Sequence, residues 1–153
     1  MTSDNAFLPA GYAIEEGLAR FDMAKAHHWI GVESYWAKGI PYDRFERAWR
    51  HSLALGVYRP DGSMAAIARV VTDRATFGWI CDVFVDEAER GMGLGKAIMS
   101  HLKAHPDLQG LRRLHLATAD AHELYRQFGF TELTKTDRWM EIRHPDPYGH
   151  GQF

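Results

Sequence analysis

The chain has a single cysteine, Cys81, among 153 residues. One thiol excludes an internal disulfide and any zinc site built from several cysteines. No apolar run approaches the roughly 18 residues that a membrane-spanning helix requires. A secretory signal pattern is also missing. Both absences predict a cytoplasmic protein with no membrane partner. Neither sign of charge dominates: 18 Lys and Arg stand against 20 Asp and Glu, a formal net charge of −2. A nonspecific nucleic-acid binder needs a basic surface, so no nucleic-acid partner is expected. Repeats, low-complexity tracts and long linkers are absent as well. The length suits one domain over residues 1–153 with one adequate core, and residues 1–9 and 144–153 read as loose ends.

What is present is organised around Val83 to Lys96. An apolar, β-branched run from Thr76 to Val85 reads as a strand. A short acidic turn follows, then Gly91, Gly93 and Gly95, then Leu94, Ala97, Ile98 and Leu102 at helical spacing. Glycine admits strained dihedrals and close approach of a ligand to the backbone. The first turn of a helix offers unpaired N–H groups and the positive end of the dipole. Strand, glycine loop and helix start together make a site for a phosphate or diphosphate. The P-loop pattern fails, because Arg90 stands where its first glycine is needed and Ala97 where its hydroxyl is needed. The dinucleotide fingerprint fails at Lys96, where its third glycine belongs.

The spacing that does fit is Arg-x-x-Gly-x-Gly, as Arg90, Gly93 and Gly95. A second segment lies about 30 residues on, Ala121-His122-Glu123-Leu124-Tyr125-Arg126-Gln127-Phe128-Gly129-Phe130. In order and separation the two motifs resemble the acetyl-CoA loop and the Ala-x-x-Leu-Tyr-x-x-x-Gly-Phe pattern of the GNAT superfamily of N-acetyltransferases. The resemblance is firmest from Thr76 to Phe130. It departs at Thr118, where many members carry an asparagine seven residues before the tyrosine.

Pattern along the chain predicts a first strand at Tyr12 to Ile14 and a helix capped by Asp22 that runs to about Tyr35. A second helix opens after Pro41, with Phe45, Ala48, Trp49 and Ser52 on one face. Strands over 53–58, 64–72 and 76–85 form a meander, turned by Arg59-Pro60-Asp61-Gly62-Ser63 and by Asp73-Arg74-Ala75. The helix after the glycine loop ends at Pro106. Residues 113–117 read as a strand parallel to the fourth, through a right-handed crossover. Asp120 and Glu123 suggest a capping box for the next helix, closed by Gly129. Thr131 to Leu133 and Trp139 to Ile142 read as final strands. The fold class is α/β (α+β): a GNAT-like mixed, mostly antiparallel sheet of six to seven strands with flanking helices, splayed between strands four and five.

The resemblance implies an acetyl-CoA-dependent N-acetyltransferase that acts by direct attack of an amine in a ternary complex, with no metal. An alkyl amine has a pKa near 10.4, so at pH 7 about three units, or roughly 4–5 kcal/mol, separate it from its reactive neutral form. The site must also stabilise an oxyanion and protonate the departing thiolate. Carried over by position, the main-chain groups of Val83 and Val85 would pair with the pantetheine arm. Amides of Arg90, Gly91, Met92, Gly93, Leu94, Gly95 and Lys96 would hold the diphosphate, and Tyr125 would be the general acid. Asp82, the only carboxylate inside the fourth strand, is the candidate base through a water. Asp73, Glu33, Asp120 or a water chain with no single base compete for that role. Tyr35 and Trp36 could wall the acceptor amine or simply sit in the core.

His101 and His105 are four apart on a helix, but Leu102 replaces the glutamate of a zinc-protease motif. Cys81 reads as a packed strand residue. The expected acceptor is the primary amine of a small molecule. Alternatives are a protein or peptide acceptor, or a non-catalytic acyl-CoA sensor on the same fold. A homodimer is possible on the same resemblance.

Overall fold

The computed structural model describes residues 5–149. One sheet of five strands runs in the order β1-β2-β3-β4-β5. The strands are β1 (Ala13–Glu16), β2 (Leu53–Tyr58), β3 (Met64–Thr72), β4 (Phe77–Val85) and β5 (Arg113–Leu116). The first four are antiparallel neighbours, and β5 lies parallel to β4. Every residue of β2 is buried, which fits a central strand covered on both faces. The turn between β2 and β3 closes through Arg59 N–H to Ser63 C=O (2.8 Å) and Gly62 N–H to Arg59 C=O (2.9 Å). Gly62 takes φ +89°, which a glycine adopts at no steric cost.

Two apolar layers sandwich the sheet. One face buries Leu55, Val57, Ala68 and Ile80 against α3 (Leu94–Ala104), through Leu94, Ile98, Met99 and Leu102. The other buries Tyr58, Ile67 and Phe84 against α1 (Met23–His28) and α2 (Tyr42–Arg50), through Ala26, Phe45 and Trp49. As predicted, the Asp22 carboxylate caps α1, accepting the Lys25 N–H at 3.0 Å. The winding then loosens into a π turn over Trp29–Glu33 before Ser34 turns extended.

Two irregularities in β4 prepare the site. Arg69 of β3 faces Asp82, whereas Val70 faces Ile80, so Cys81 is the extra residue of a β-bulge. Strict alternation would put Ile80 and Asp82 on one face. The bulge sends Ile80 to the α3 layer and leaves Asp82 on the face of Phe84. The second irregularity is that β4 pairs with β5 only over Phe77–Ile80. Beyond that point the two strands part, as the fold class requires.

Several expectations need correction. Residues 131–133 and 139–142 are not strands, so the described sheet has five strands rather than six or seven. Lys135, at φ +55°, and a 3-10 turn over Thr136–Arg138 break the run. Met140 and Ile142 are almost wholly exposed, with no layer beneath to repay a strand. Asp120 does not cap α4 (His122–Arg126). The Thr118 hydroxyl accepts the N–H groups of Asp120 (3.3 Å) and Ala121 (3.0 Å) instead. The lead is not loose over residues 5–9: the Asn5 amide donates to the Ala97 carbonyl (2.7 Å), Phe7 meets Phe128 edge-on, and Leu8 packs on the core. In the tail, Tyr148 packs against the α1–α2 layer.

Candidate active site

Where β5 leaves β4, main-chain groups are exposed. Asp86 N–H bonds the Ala65 carbonyl (2.9 Å) while Ala66 faces Val85. In an antiparallel pair this makes Val85, and Val83 two residues back, positions that do not hydrogen-bond to β3. Their N–H and C=O groups therefore point toward the gap. One of them is engaged, since Arg90 Nε donates to the Val85 carbonyl at 3.2 Å. The Arg90 guanidinium also lies 5.4 Å from the Phe84 ring centre. Its side chain thus braces the end of β4.

The glycine loop follows. Gly91 (φ +84°) and Gly93 (φ +90°) are left-handed, and Gly93 is the residue from which α3 springs. No side chain caps that helix among the described residues. Two of the seven expected amides turn inward: Arg90 N–H bonds Glu87 C=O (3.3 Å) and Met92 N–H bonds Glu89 C=O (3.4 Å). The amides of Gly91, Gly93, Leu94, Gly95 and Lys96 have no partner among the described residues, as the first turn of a helix dictates. Together with the positive dipole end they form an anion cradle.

A partly buried network that sequence reading did not find holds this loop. Arg59 donates from Nε to Glu89 (2.6 Å), from Nη2 to Asp86 (2.7 Å) and from Nη1 to the Met64 carbonyl (2.6 Å). The Tyr12 hydroxyl donates to the other Glu89 oxygen at 2.8 Å. The Arg59 and Tyr12 bonds hold the Glu89 carboxyl below its usual range. Burial pushes Asp86 up, but the Arg59 bond, the Ala88 N–H and the charges of Arg59 and Lys25 together outweigh it and leave it lowered. No local pattern announces this network, because Arg59 stands 27 and 30 residues before Asp86 and Glu89.

Beside the gap lies a cavity of about 690 Å³. It is lined by Tyr35 and Trp36 before α2, Trp79 and Asp82 of β4, Tyr125 of α4, and Tyr148 of the tail. Asp82 is 5% exposed. Its Oδ2 accepts Arg69 Nε (2.8 Å) and its Oδ1 accepts the Trp36 indole N–H (2.7 Å). Arg69 Nη1 reaches the Ser52 hydroxyl at 3.2 Å. The Tyr35 hydroxyl accepts the Ala119 N–H (2.9 Å), tying the segment after α1 to the loop before α4. Burial raises the Tyr125 phenol above its ordinary value, with smaller contributions from Tyr35 and Asp120. Burial likewise raises the Cys81 thiol, which leaves it less able to act as a thiolate.

The profile of the Acetyltransferase (GNAT) family matches residues 23–130. The chain belongs to the GNAT family. A candidate acetyltransferase from Gibberella zeae is 30% identical over 124 residues, 67% of this chain and 69% of its own length. A GNAT-family candidate acetyltransferase from Xanthomonas campestris has a crystal structure that superposes with TM-score 0.88 at 42% identity, covering 92% of this chain and 98% of its own. The ribosomal-protein-S18-alanine N-acetyltransferase of Escherichia coli superposes with TM-score 0.64 at 25% identity, covering 80% and 79%. The chain is thus an acetyltransferase, and the family's acyl donor is acetyl-CoA.

In this GNAT chain, Tyr35, Trp36, Asp82, Val83 and Tyr125 line one cavity. The other candidate bases fare differently. Asp73 is spent on its own turn, accepting from Thr76, Ala75 and Phe77. Glu33 lies 3.6 Å from His28, and Asp120 sits on the cavity rim. Thr118 is committed to the start of α4. Trp79 and Tyr148 also line the cavity, and sequence reading passed over both.

Proposed function

We propose that this acetyltransferase moves an acetyl group from acetyl-CoA to the primary amine of a small molecule, both substrates being bound at once. The observation that carries this reading is the row of amides at Gly91 and from Gly93 to Lys96 with no partner among the described residues, beside the outward main-chain groups of Val83 and the N–H of Val85. A diphosphate fits the first set and an amide-bearing pantetheine arm fits the second. A Cβ on Gly91 would meet nothing within 4 Å, so that turn is open to a ligand, whereas one on Gly93 would come 3.3 Å from the Phe7 carbonyl, so glycine there also serves the packing of the lead. We assign Arg90 to bracing the end of β4 rather than to the phosphates.

Acetyl-CoA brings the thioester. The chain's own residues orient it, shelter it and handle protons. The amine nitrogen bonds to the acyl carbon, the carbon–sulfur bond breaks, and the amine proton leaves to solvent. Tyr125 gives its phenolic proton to the departing sulfur and recovers one from solvent, and its raised pKa keeps that proton in place through the neutral range. Both oxygens of Asp82 already hold donors. We therefore assign Asp82 to orienting Trp36, with the amine reacting from its neutral fraction.

Calorimetry with CoA and turnover assays with acetyl-CoA test this reading. Binding with release of free thiol in the presence of amines supports it. A folded chain that shows no heat with CoA or acetyl-CoA refutes it. Tight CoA binding without turnover on any amine supports the sensor alternative, and turnover confined to peptides supports a protein acceptor.

A further inference from the structure

We propose that the acceptor is an arylalkylamine, a primary amine carried on an aromatic body, and that Trp79 and Tyr148 select it. This rests on the acetyl-transfer reading above and names its second substrate.

The first ground is where the aromatic surface lies. Tyr35, Trp36 and Trp79 are 56%, 40% and 47% exposed, yet all three face the same cavity, with Tyr148 joining them from the tail. Single exposed aromatics are ordinary; several converging on one concavity mark a binding surface. Two of these rings are fixed in advance. The Trp36 indole is pinned by Asp82, the Tyr35 hydroxyl holds the Ala119 amide, and the two rings meet edge-to-face with centres 5.0 Å apart. Rings already held need little ordering when a flat ligand enters.

The second ground is charge. The ionisable side chains of opposite sign that line the cavity are Arg69, Asp82 and Asp120. Arg69 is spent on Asp82 and Ser52, so no lining cation remains among the described residues to meet a phosphate or carboxylate on the acceptor. Asp120 at the rim leaves the lining negative by one charge. A monoamine cation with an aromatic body matches that balance, and it can also stack its charge on indole and phenol faces. An amino sugar phosphate would lack its counter-charge. A polyamine would find one carboxylate for several ammonium groups.

The test is steady-state CoA release with 2-phenylethylamine, n-propylamine, spermidine, glucosamine 6-phosphate and an N-terminal alanine peptide. The expected result is a kcat/KM for 2-phenylethylamine at least tenfold above each of the others. Trp79→Ala and Tyr148→Ala should each raise its KM about tenfold and leave the KM for acetyl-CoA unchanged. Trp79→Phe and Tyr148→Phe should restore most of the loss, which a fold defect would not allow. Preference for spermidine, the sugar phosphate or the peptide overturns the inference while leaving acetyl transfer standing. Should no amine turn over although CoA binds, calorimetry of 2-phenylethylamine with the CoA complex decides. Absence of binding there also overturns it.

Discussion

Asp82→Asn tests how the acceptor wall is held. Asp82 and Arg69 face one another across β4 and β3. Their side chains are 8% and 17% exposed, with N and O 2.8 Å apart. Asparagine keeps the shape and keeps an oxygen for the Trp36 indole, but it leaves the Arg69 charge facing an amide. Breaking a buried pair from one side costs about 3–5 kcal/mol. Arg69 retains Ser52 and some water, so the lower end, about 3 kcal/mol, applies. For a chain of this size that lowers the melting temperature by roughly 6–12 °C. Urea denaturation at pH 7 should show a lower midpoint with an unchanged slope. Arg69→Met in the same chain should return a substantial part of the loss, because no charge is then stranded. In kinetics, Asp82→Asn should raise the acceptor KM and change kcat less than tenfold. A kcat loss of 10²-fold or more, with the rise of rate with pH abolished, would refute the assignment and make Asp82 the base. An unchanged urea midpoint would refute the energetic argument.

Tyr125→Phe should lower kcat about 10²-fold or more, the usual scale of general acid catalysis, with little change in the KM for acetyl-CoA. In the parent, log kcat/KM should rise about one unit per pH unit above pH 7 as the amine deprotonates. It should fall only above about pH 10, where the Tyr125 phenol, its pKa raised by burial, loses its proton; Tyr125→Phe should lack that fall. Gly93→Ala puts a side chain at φ +90° and 3.3 Å from the Phe7 carbonyl. It should cost about 1–2 kcal/mol, read by urea denaturation, and weaken CoA binding by calorimetry. Gly91→Ala meets open space and should cost the backbone term alone. Asp86 and Glu89 have folded pKa values below their usual ones, so the stability they add is present above the unfolded carboxylate range and is lost as pH falls through the folded values. Arg59→Met removes the cause, and it should make acid titration followed by fluorescence flatter below about pH 4.5.

The loop was legible because its chemistry is local. A diphosphate needs consecutive amides, and glycines at 91, 93 and 95 before an amphipathic helix announce them. The place of Tyr125 beside the cavity follows from its spacing after that loop. The acceptor side is a different kind of object. Trp36, Trp79 and Tyr148 come from a connector, a strand and the tail, and no period in the sequence ties them together. The Asp82 that pins Trp36 among them owes its face to one inserted residue. Cys81 carries no mark of a bulge, since it is neither glycine nor flanked by turn residues, yet it alone decides which face Asp82 takes. Were Cys81 paired in regular register instead of bulged, Asp82 would share the α3 face with Ile80 and would not face Arg69. The missing strands teach the converse. The apolar residues at 139–142 suggest a strand, but such a segment forms one only where a layer covers its apolar side, and none covers Met140 and Ile142 here. On the proposed reading, coenzyme recognition is written in neighbouring residues, whereas acceptor recognition is written in register. For this reason Trp79 and Tyr148, rather than any motif residue, are the positions at which relatives with the same loop are expected to diverge in substrate.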